Sequence, residues 1–147
     1  MGQELALNGS EAARRATTAE TMLRALHGHS ADEPIEWISA LIHPEAEMRL
    51  LITYGEVVRG RDAIAQVLHE GREAAMYRAR VERFEWLDHD TSLTVGLARF
   101  PLRSGGFGEG RVYWLDELRD GLIWRVSAFR REDDARQAYV DGRYRPA

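Results

Sequence analysis

Apolar and polar residues alternate through the second half of the chain, from Met76 to Phe129. This period of two predicts β-strands that each have one apolar face. The apolar positions change parity between Val81 and Phe84, which predicts a bulge near Glu82-Arg83. The next strand alternates in the same way, and Phe100 lies on its apolar face. The second half is therefore predicted to form long antiparallel strands.

The stretch Arg111–Arg130 contains a strong hairpin signal, Asp120-Gly121, between two alternating runs. A two-residue turn would set Asp116 opposite Arg125. A three-residue turn, with the glycine in the left-handed region, sets Asp116 opposite Trp124 instead. Because the three-residue turn gathers the apolar residues on one face, we expect burial to select it. That face would consist of Val112, Trp114, Leu118, Leu122, Trp124, Val126 and Ala128.

Asp116 is then the one carboxylate on this apolar face. Burial without a cation raises the pKa of a carboxyl group, because surroundings of low dielectric constant disfavour its charged form. Asp116 is therefore predicted to line a pocket and to act as an acid or a hydrogen-bond donor. The alternative is a structural role, in which it bonds to Trp124, Trp114, a backbone amide or an arginine.

Helical spacing replaces the alternation in the first half of the chain. Thr17-x-x-Glu20 forms a capping box, and the apolar residues behind it predict a first helix that ends at Gly28. Pro34 suits the first turn of a second helix, which His43-Pro44 ends because the residue before a proline avoids the helical region. Its inner stripe would be Trp37, Ile38, Leu41 and Ile42.

A short strand through Met48, Leu50 and Ile52 comes next, and a third helix begins near Arg61-Asp62. The acidic run Glu132-Asp133-Asp134 starts a short closing helix. This order predicts an α+β domain over residues 17–140, with helices packed on one face of a curved antiparallel sheet. Residues 1–16 are polar and unpatterned, so we expect a disordered N-terminal arm, and residues 141–147 are expected to form a tail.

Composition narrows the functions that are open to this chain. Its 147 residues carry a net charge of −4, which argues against nucleic acid as a partner because phosphate binding needs a concentrated basic surface. The absence of cysteine excludes disulfides and thiolate chemistry. No apolar run approaches the roughly 20 residues that span a membrane, and the first residues lack a secretory signal. We expect a cytoplasmic protein with no membrane partner.

Three stretches resemble the nuclear transport factor 2-like superfamily, in its SnoaL-like and ketosteroid-isomerase-like branch. They close the first helix (Met22–Gly28), open the third helix (Gly60–Ile64) and form the hairpin (Leu118–Ile123). The resemblance implies a cone-shaped, cystatin-like α+β barrel, in which a strongly bent sheet wraps around helices and a deep apolar pocket. Such domains are frequently homodimers through the sheet, and the same is expected here.

The resemblance also implies roles for particular positions. Ketosteroid isomerases use a carboxylate base on the first strand, a helix tyrosine and a protonated aspartate, and the last of these falls on Asp116. The tyrosine position is Met22 and the base position is Leu50, so two of the three roles are empty. Limonene epoxide hydrolases activate water with the help of an aspartate on the last strand. Ser127 occupies that position here, so this water-activating group is absent as well. Scytalone-dehydratase-like chemistry needs a His–Asp pair, and the sequence places no histidine opposite Asp116.

Other residues near the expected pocket are candidates for ligand contact. Arg130 continues the inward parity at the rim and would hold an acidic group, although a surface arginine is the alternative. Tyr54 and His43 flank the first strand and would donate to a bound carbonyl. Their alternatives are a loop aromatic and a histidine at a helix C-terminus. The apolar and aromatic pocket candidates are Met22, Trp37, Leu50, Phe100, Trp114 and Trp124, and core packing explains the tryptophans equally well.

His27-x-His29 has the look of a metal-binding pair, but it spans a helix end without a third ligand nearby, so no metal is expected. The leading function is the binding of a small, mostly apolar molecule in a deep pocket. If the protein is an enzyme, we expect a cofactor-independent isomerase, cyclase or dehydratase that acts through Asp116. The alternative is a non-catalytic ligand-binding or protein-interaction module of the same fold.

Overall fold

The structure is a computed structural model that describes the backbone of residues 2–143 and the side chains of residues 14–142. Four α-helices, a short 3-10 turn and six strands occur in this part of the chain. In chain order they are α1 (Gly2–His27), α2 (Ile35–Ser39), β1 (Ile42–Arg49), the 3-10 turn (Leu51–Thr53), β2 (Val57–Arg59), α3 (Arg61–Glu73), β3 (Arg78–Trp86), β4 (Thr91–Pro101), β5 (Phe107–Arg119), β6 (Leu122–Phe129) and α4 (Glu132–Arg143).

The six strands form one curved, unclosed sheet in the order β2-β1-β6-β5-β4-β3. The predicted α+β class is confirmed. The sheet is mixed rather than wholly antiparallel, because β1 pairs with β6 in parallel. No helix in the described residues is long and apolar enough to cross a membrane.

The core lies between the inner face of this sheet and the helices α1 and α3. Leu23 and Leu26 of α1 and Ile64 of α3 are almost completely buried there. They meet inward side chains of the central strands, among which Trp114 is the largest that is fully buried. Burial of each such aliphatic side chain contributes about 1.5–3 kcal/mol, so this layer fixes α1 and α3 against the sheet.

The closing helix α4 packs against β5 and β6 and is anchored to β3. Both terminal guanidinium nitrogens of Arg136 donate to Glu85 at 2.8 Å, and Tyr139 donates from its hydroxyl to Asp88 at 2.9 Å. Ala135 is fully buried. The short closing helix predicted from the acidic run at Glu132 is thus present.

The second helix of the sequence prediction was too long. α2 ends at Ser39, and the residues from Ile42 onward belong to β1. The prediction that His43-Pro44 ends a helix was therefore wrong. Pro44 lies where the pairing of β1 with β6 shifts register, between Ile42 and Glu47, and a residue without an N–H is tolerated at such an irregularity.

The hairpin register also differs from the prediction. The turn has two residues, since Arg119 pairs with Leu122 while Asp120 and Gly121 have φ values of 54° and 75°. Both central residues therefore adopt the positive φ that the favoured two-residue hairpin turns require.

A register shift between Glu117 and Leu118 then leaves Trp124 without a cross-strand partner and sets Asp116 opposite Val126. The predicted pairing of Asp116 with Trp124 was wrong for this reason. Trp114, Asp116 and Val126 nevertheless share the inner face, and Ile123 is buried there in place of Leu122 and Trp124. The bulge in β3 was predicted correctly, because its register shift lies between Val81 and Arg83.

The helix start predicted at Thr17 lies inside α1, where Thr21 donates to the carbonyl of Thr17 at 2.9 Å. The backbone of residues 2–16 continues the same helix. The division into an arm, a domain over residues 17–140 and a tail stays a prediction. Residue 1 and residues 144–147 of that division lie outside the described residues.

Candidate active site

Asp116 lies on the inner face of β5 with no exposed surface. Its cross-strand neighbour on β4 is Ser92, and two residues further along β4 the hydroxyl of Thr94 donates to Oδ2 at 2.6 Å. Ser92 and Thr94 share a hydrogen bond of 3.0 Å between their own hydroxyl oxygens. The carboxylate is therefore held by a short chain of buried hydroxyl groups.

His27, the last residue of α1, completes the surroundings of this carboxylate. Its Nε2 lies 2.9 Å from Oδ2 and 3.0 Å from Oδ1 of Asp116, and its side chain is 3% exposed. An ionised carboxylate only accepts hydrogen bonds, so we place a proton on Nε2 of His27. Among the described residues none bonds to Nδ1, which is therefore the ring nitrogen with room for another partner.

The imidazole of His27 also stacks on the indole of Trp114, with ring centroids 4.1 Å apart and an interplanar angle of 21°. Gly96 on β4 makes room for this arrangement. A Cβ at Gly96 would stand 2.7 Å from Cζ3 of Trp114 and 2.2 Å from the carbonyl oxygen of Arg80. The absence of a side chain at this position thus lets the indole and the edge strand approach each other.

The sequence missed this pair. His27 was interpreted only as half of a metal-like motif, and no histidine was placed opposite Asp116. One signal was available, because His27 follows the buried Leu23 by four residues and so falls on the same face of α1. A histidine on the apolar stripe of a helix, in a chain with a lone inward carboxylate, favours a buried pair.

A second polar cluster lies at the same end of α1. One terminal nitrogen of Arg72 donates to the carbonyl of His27, and the other donates to the carbonyl of Leu68 at 3.4 Å. The guanidinium also lies 4.5 Å from the ring centroid of Tyr77. Burial lowers the pKa of Arg72, and burial raises the pKa of Tyr77 to about 12.

His29 belongs to this cluster as well. Its Nε2 lies 3.2 Å from Nδ1 of His69, and burial is the main cause that lowers the pKa of His29. The neighbouring Arg72 and His69 lower that pKa further, while Glu33 opposes them. Within the part of the chain whose side chains are described, no three histidine or acidic side chains form a group that could hold a metal ion.

A groove of about 1110 Å³ opens between α1 and the turns at the end of the sheet. Its apolar lining includes Ala19, Met22, Trp86 and Leu118, and charged residues such as Asp88 stand at its rim. Met22, Trp86 and Leu118 also pack against the core cluster that contains Trp114. The groove therefore has an apolar floor that packs on the core cluster, while His27 and Asp116 are not among its lining residues.

The structure brings several of the candidate residues to the core. Trp114 contacts His27 directly, while Leu50 and Phe100 are 6% and 3% exposed and belong to the same core cluster. Met22 is half-buried and lines the groove.

Arg130 places its guanidinium 4.9 Å from the ring centroid of Phe100, so it lies against a core aromatic, although its side chain is exposed overall.

The remaining candidates lie apart from the His27–Asp116 pair. Trp37 on α2 is 62% exposed, and Tyr54 is 43% exposed in a left-handed conformation beside Arg103. His43 is on β1, with Nε2 3.5 Å from Asp120. Trp124 is half-buried between the guanidinium groups of Arg119 and Arg125, and we assign none of these four to the site.

Comparisons with solved structures identify the architecture. A putative SnoaL-like polyketide cyclase from Jannaschia sp. superimposes with a TM-score of 0.57 at 19% identity, over 78% of this chain and 85% of that one. The chain has the nuclear transport factor 2-like fold. The resemblance that the sequence predicted is therefore confirmed at the level of the fold.

Two further structures share the nuclear transport factor 2-like fold. A putative ketosteroid isomerase from Kribbella flavida has a TM-score of 0.57 at 20% identity, over 80% of this chain and 78% of that one. A Mycobacterium tuberculosis protein, solved in complex with estradiol-17beta-hemisuccinate, has a TM-score of 0.57 at 15% identity, over 80% and 94%. No protein-family model and no curated protein sequence matches the chain.

Proposed function

We propose that this protein binds a small, mostly apolar molecule and transfers protons on it through His27, with Asp116 as the group that orients the imidazole. The contact of Nε2 with both oxygens of Asp116 is the observation that carries the proposal. It assigns the acid–base role to His27 rather than to the aspartate that the sequence favoured.

The chemistry of the pair supports this assignment. Histidine changes its charge nearer to neutral pH than any other side chain, which makes it the commonest general acid or base. A carboxylate bonded to one ring nitrogen fixes the tautomer and leaves the other nitrogen to exchange a proton with a substrate. Because Asp116 already accepts from His27 and Thr94, both of its oxygens are engaged.

The groove beside Met22 and Leu118 supports an apolar ligand. Its volume of about 1110 Å³ exceeds the need of a flat molecule with several fused rings. The Mycobacterium tuberculosis neighbour holds a steroid ester, and the Jannaschia neighbour is described as a polyketide cyclase. Isomerisation, cyclisation and dehydration of such molecules each move a proton between two positions of one substrate, which a single histidine can do.

The test measures proton transfer from carbon. β-Tetralone, an apolar cyclic ketone, is incubated in D₂O with the protein, and loss of its α-hydrogens is followed by NMR. We expect exchange at least tenfold faster with the wild type than with His27→Gln, and an intermediate rate with Asp116→Asn. His43→Gln is the matched control, because His43 lies on β1 with Nε2 3.5 Å from Asp120 and is not among the residues that line the groove. A wild-type rate equal to that of His27→Gln would overturn the proposal.

The rival function is a non-catalytic ligand-binding module, and the burial of the pair favours it. Asp116 has no exposed surface and the side chain of His27 has 3%. Binding of estradiol-17beta-hemisuccinate, measured by tryptophan fluorescence, without any ketone exchange would support this rival. Binding that disappears in Met22→Trp, which fills the groove, would assign the ligand to the groove.

Dimerisation through the sheet is a separate proposal. Trp124, with Arg119 and Arg125 over its ring, offers an aromatic and cationic contact of the kind that is enriched in interfaces. Sedimentation velocity of the wild type should give a dimer, and Trp124→Ala should shift it toward the monomer. A wild-type protein that sediments as a monomer at all concentrations contradicts the proposal.

A further inference from the structure

The carbonyl of His27 is one of the last four of α1, which have no partner inside the helix. A buried helix end needs a donor from elsewhere, and here Arg72 of α3 supplies it. The residue that presents its imidazole to Asp116 is thus the same residue whose backbone is held by a guanidinium.

The contacts around His27 close into a ring. Arg72 bonds to the backbone of His27 and lies over Tyr77 at 4.5 Å. Tyr77 and Trp114 are neighbours in the buried core cluster, and the indole of Trp114 stacks on the imidazole of His27 at 4.1 Å. Each member of this ring lies next to the following one, so Arg72 holds the backbone of His27 and Trp114 packs on its side chain.

Arg72 is unusual in this setting because it is 8% exposed and its hydrogen bonds go to carbonyl groups. Among the described residues no carboxylate forms an ion pair with it. A buried guanidinium is expensive to desolvate, and a general stabilising role would be served better by an apolar side chain. Its planar fork reaches two carbonyls of two different helices, which an apolar side chain cannot do.

We propose that Arg72 is the positioning residue of the candidate site: it ties the end of α1 to α3 and so holds the imidazole of His27 on Asp116. Tyr77 and Trp114 complete the support. This inference rests on the proposed function for its catalytic meaning, but its geometric content can be tested without any substrate.

The first experiment observes the Nε2 proton of His27 by NMR in ¹⁵N-labelled protein. In the wild type, bonding to Asp116 should place this proton downfield and make it exchange slowly with water. In Arg72→Met we expect exchange at least tenfold faster and loss of the downfield shift, with a smaller change in Arg72→Lys. A folded Arg72→Met protein whose His27 proton keeps its shift and exchange rate would overturn the proposal.

The matched control is Arg61→Met. Arg61 lies at the other end of α3 and donates from Nε to the carbonyl of Ile42 at 2.8 Å, so it makes the same kind of bond away from His27. This variant should leave the His27 proton unchanged. If Arg61→Met disturbs the His27 proton as much as Arg72→Met does, the effect is general loosening and the proposal fails.

A second measurement uses the wild type alone and covers the case in which Arg72→Met does not fold. Hydrogen exchange is followed in low concentrations of urea for the side-chain N–H of Arg72 and the Nε2–H of His27. If Arg72 positions His27, both protons should exchange through the same local opening, with protection factors that agree within about threefold. Protection factors that differ by more than tenfold would contradict the proposal.

These readouts separate the two proposals. If the His27 proton depends on Arg72 while β-tetralone exchange is absent, the positioning role stands and the proposed enzymatic function fails. If exchange occurs, Arg72→Lys should lower kcat with little change in KM, because the ligand contacts of the groove remain. If exchange occurs but Arg72→Lys changes neither kcat nor the His27 proton, Arg72 does not position the site and the proposal fails.

Discussion

The imidazole of His27 lies almost parallel to the indole of Trp114, 4.1 Å away between ring centroids. Stacked aromatic pairs contribute about 0.5–1.5 kcal/mol beyond the area they bury. The larger consequence is geometric, because the indole forms one wall that confines the imidazole while Asp116 fixes its edge. Residues that shape this wall should therefore affect both stability and the state of His27.

Gly96→Ala should destabilise the protein by about 1–3 kcal/mol, since the added methyl collides with the backbone carbonyl of Arg80 and with the ring of Trp114. The control is Gly110→Ala on the neighbouring strand, where a Cβ meets nothing within 4 Å, and its effect should stay within about 0.5 kcal/mol. Urea unfolding measures both. Equal stabilities of the two variants would show that the indole and the edge strand are not packed as described.

Thr94→Val removes the hydroxyl that donates to Asp116 at 2.6 Å and keeps the shape of the side chain. Hydrogen bonds to charged groups contribute about 1.5–3 kcal/mol, so a loss of that size is expected in the free energy of unfolding. Thr94→Ser retains the donor and loses one methyl, which should cost about 0.8 kcal/mol. A serine variant less stable than the valine variant would argue that Asp116 does not need this donor.

Local patterns were enough to predict much of the sheet. The alternation of apolar residues identified the bulge beside Glu82 and the inward parity of Trp114 and Asp116, because both follow from side chains that point to opposite faces. The turn at Asp120-Gly121 was recognised, but its length was not. A two-residue turn followed by a bulge at Trp124 buries Val126 as well as a three-residue turn does, so the pattern could not distinguish them.

The His27–Asp116 pair was harder to predict, because its members are 89 positions apart and meet only after α1 has docked on the sheet. Alternation places Asp116 on the inner face of the sheet. Helical spacing from Leu23 places His27 on the buried face of α1. Neither pattern predicts which part of the sheet the C-terminal end of α1 packs against. Arg72 is less predictable still, since a buried arginine bound to carbonyls has no local signature.

Tyr77 should ionise about two pH units above the ordinary tyrosine value of 10.0, because burial raises its pKa to about 12. A folded-state pKa above the unfolded value of 10 gives stability that is present below pH 10 and is lost as the pH rises through 12. The loss is about 3 kcal/mol, from about 1.4 kcal/mol per pH unit. The sequence contains five tyrosines and no lysine, so tyrosinate absorbance can be followed without titrating ammonium groups.

Tyr77→Phe is the test of that assignment. It should remove the late step of the absorbance titration and reduce the loss of stability between pH 10 and pH 12. The control Tyr54→Phe changes a tyrosine that is 43% exposed and should leave the late step in place. A late step that survives in Tyr77→Phe would assign it to another phenol.

His29 should make the protein less stable in mild acid. Burial lowers its pKa below 6.5, and the neighbouring Arg72 and His69 add to that shift against the opposing charge of Glu33. The unfolded chain therefore binds the proton first, so the stability contributed by neutral His29 is present above pH 6.5 and is lost as the pH falls through the folded-state pKa.

His29→Gln should unfold with a weaker dependence on pH between 7 and 5 than the wild type does. His89→Gln, which changes an exposed histidine, should keep the wild-type dependence. If both variants follow the wild-type curve, the acid sensitivity arises elsewhere, and folding does not lower the pKa of His29.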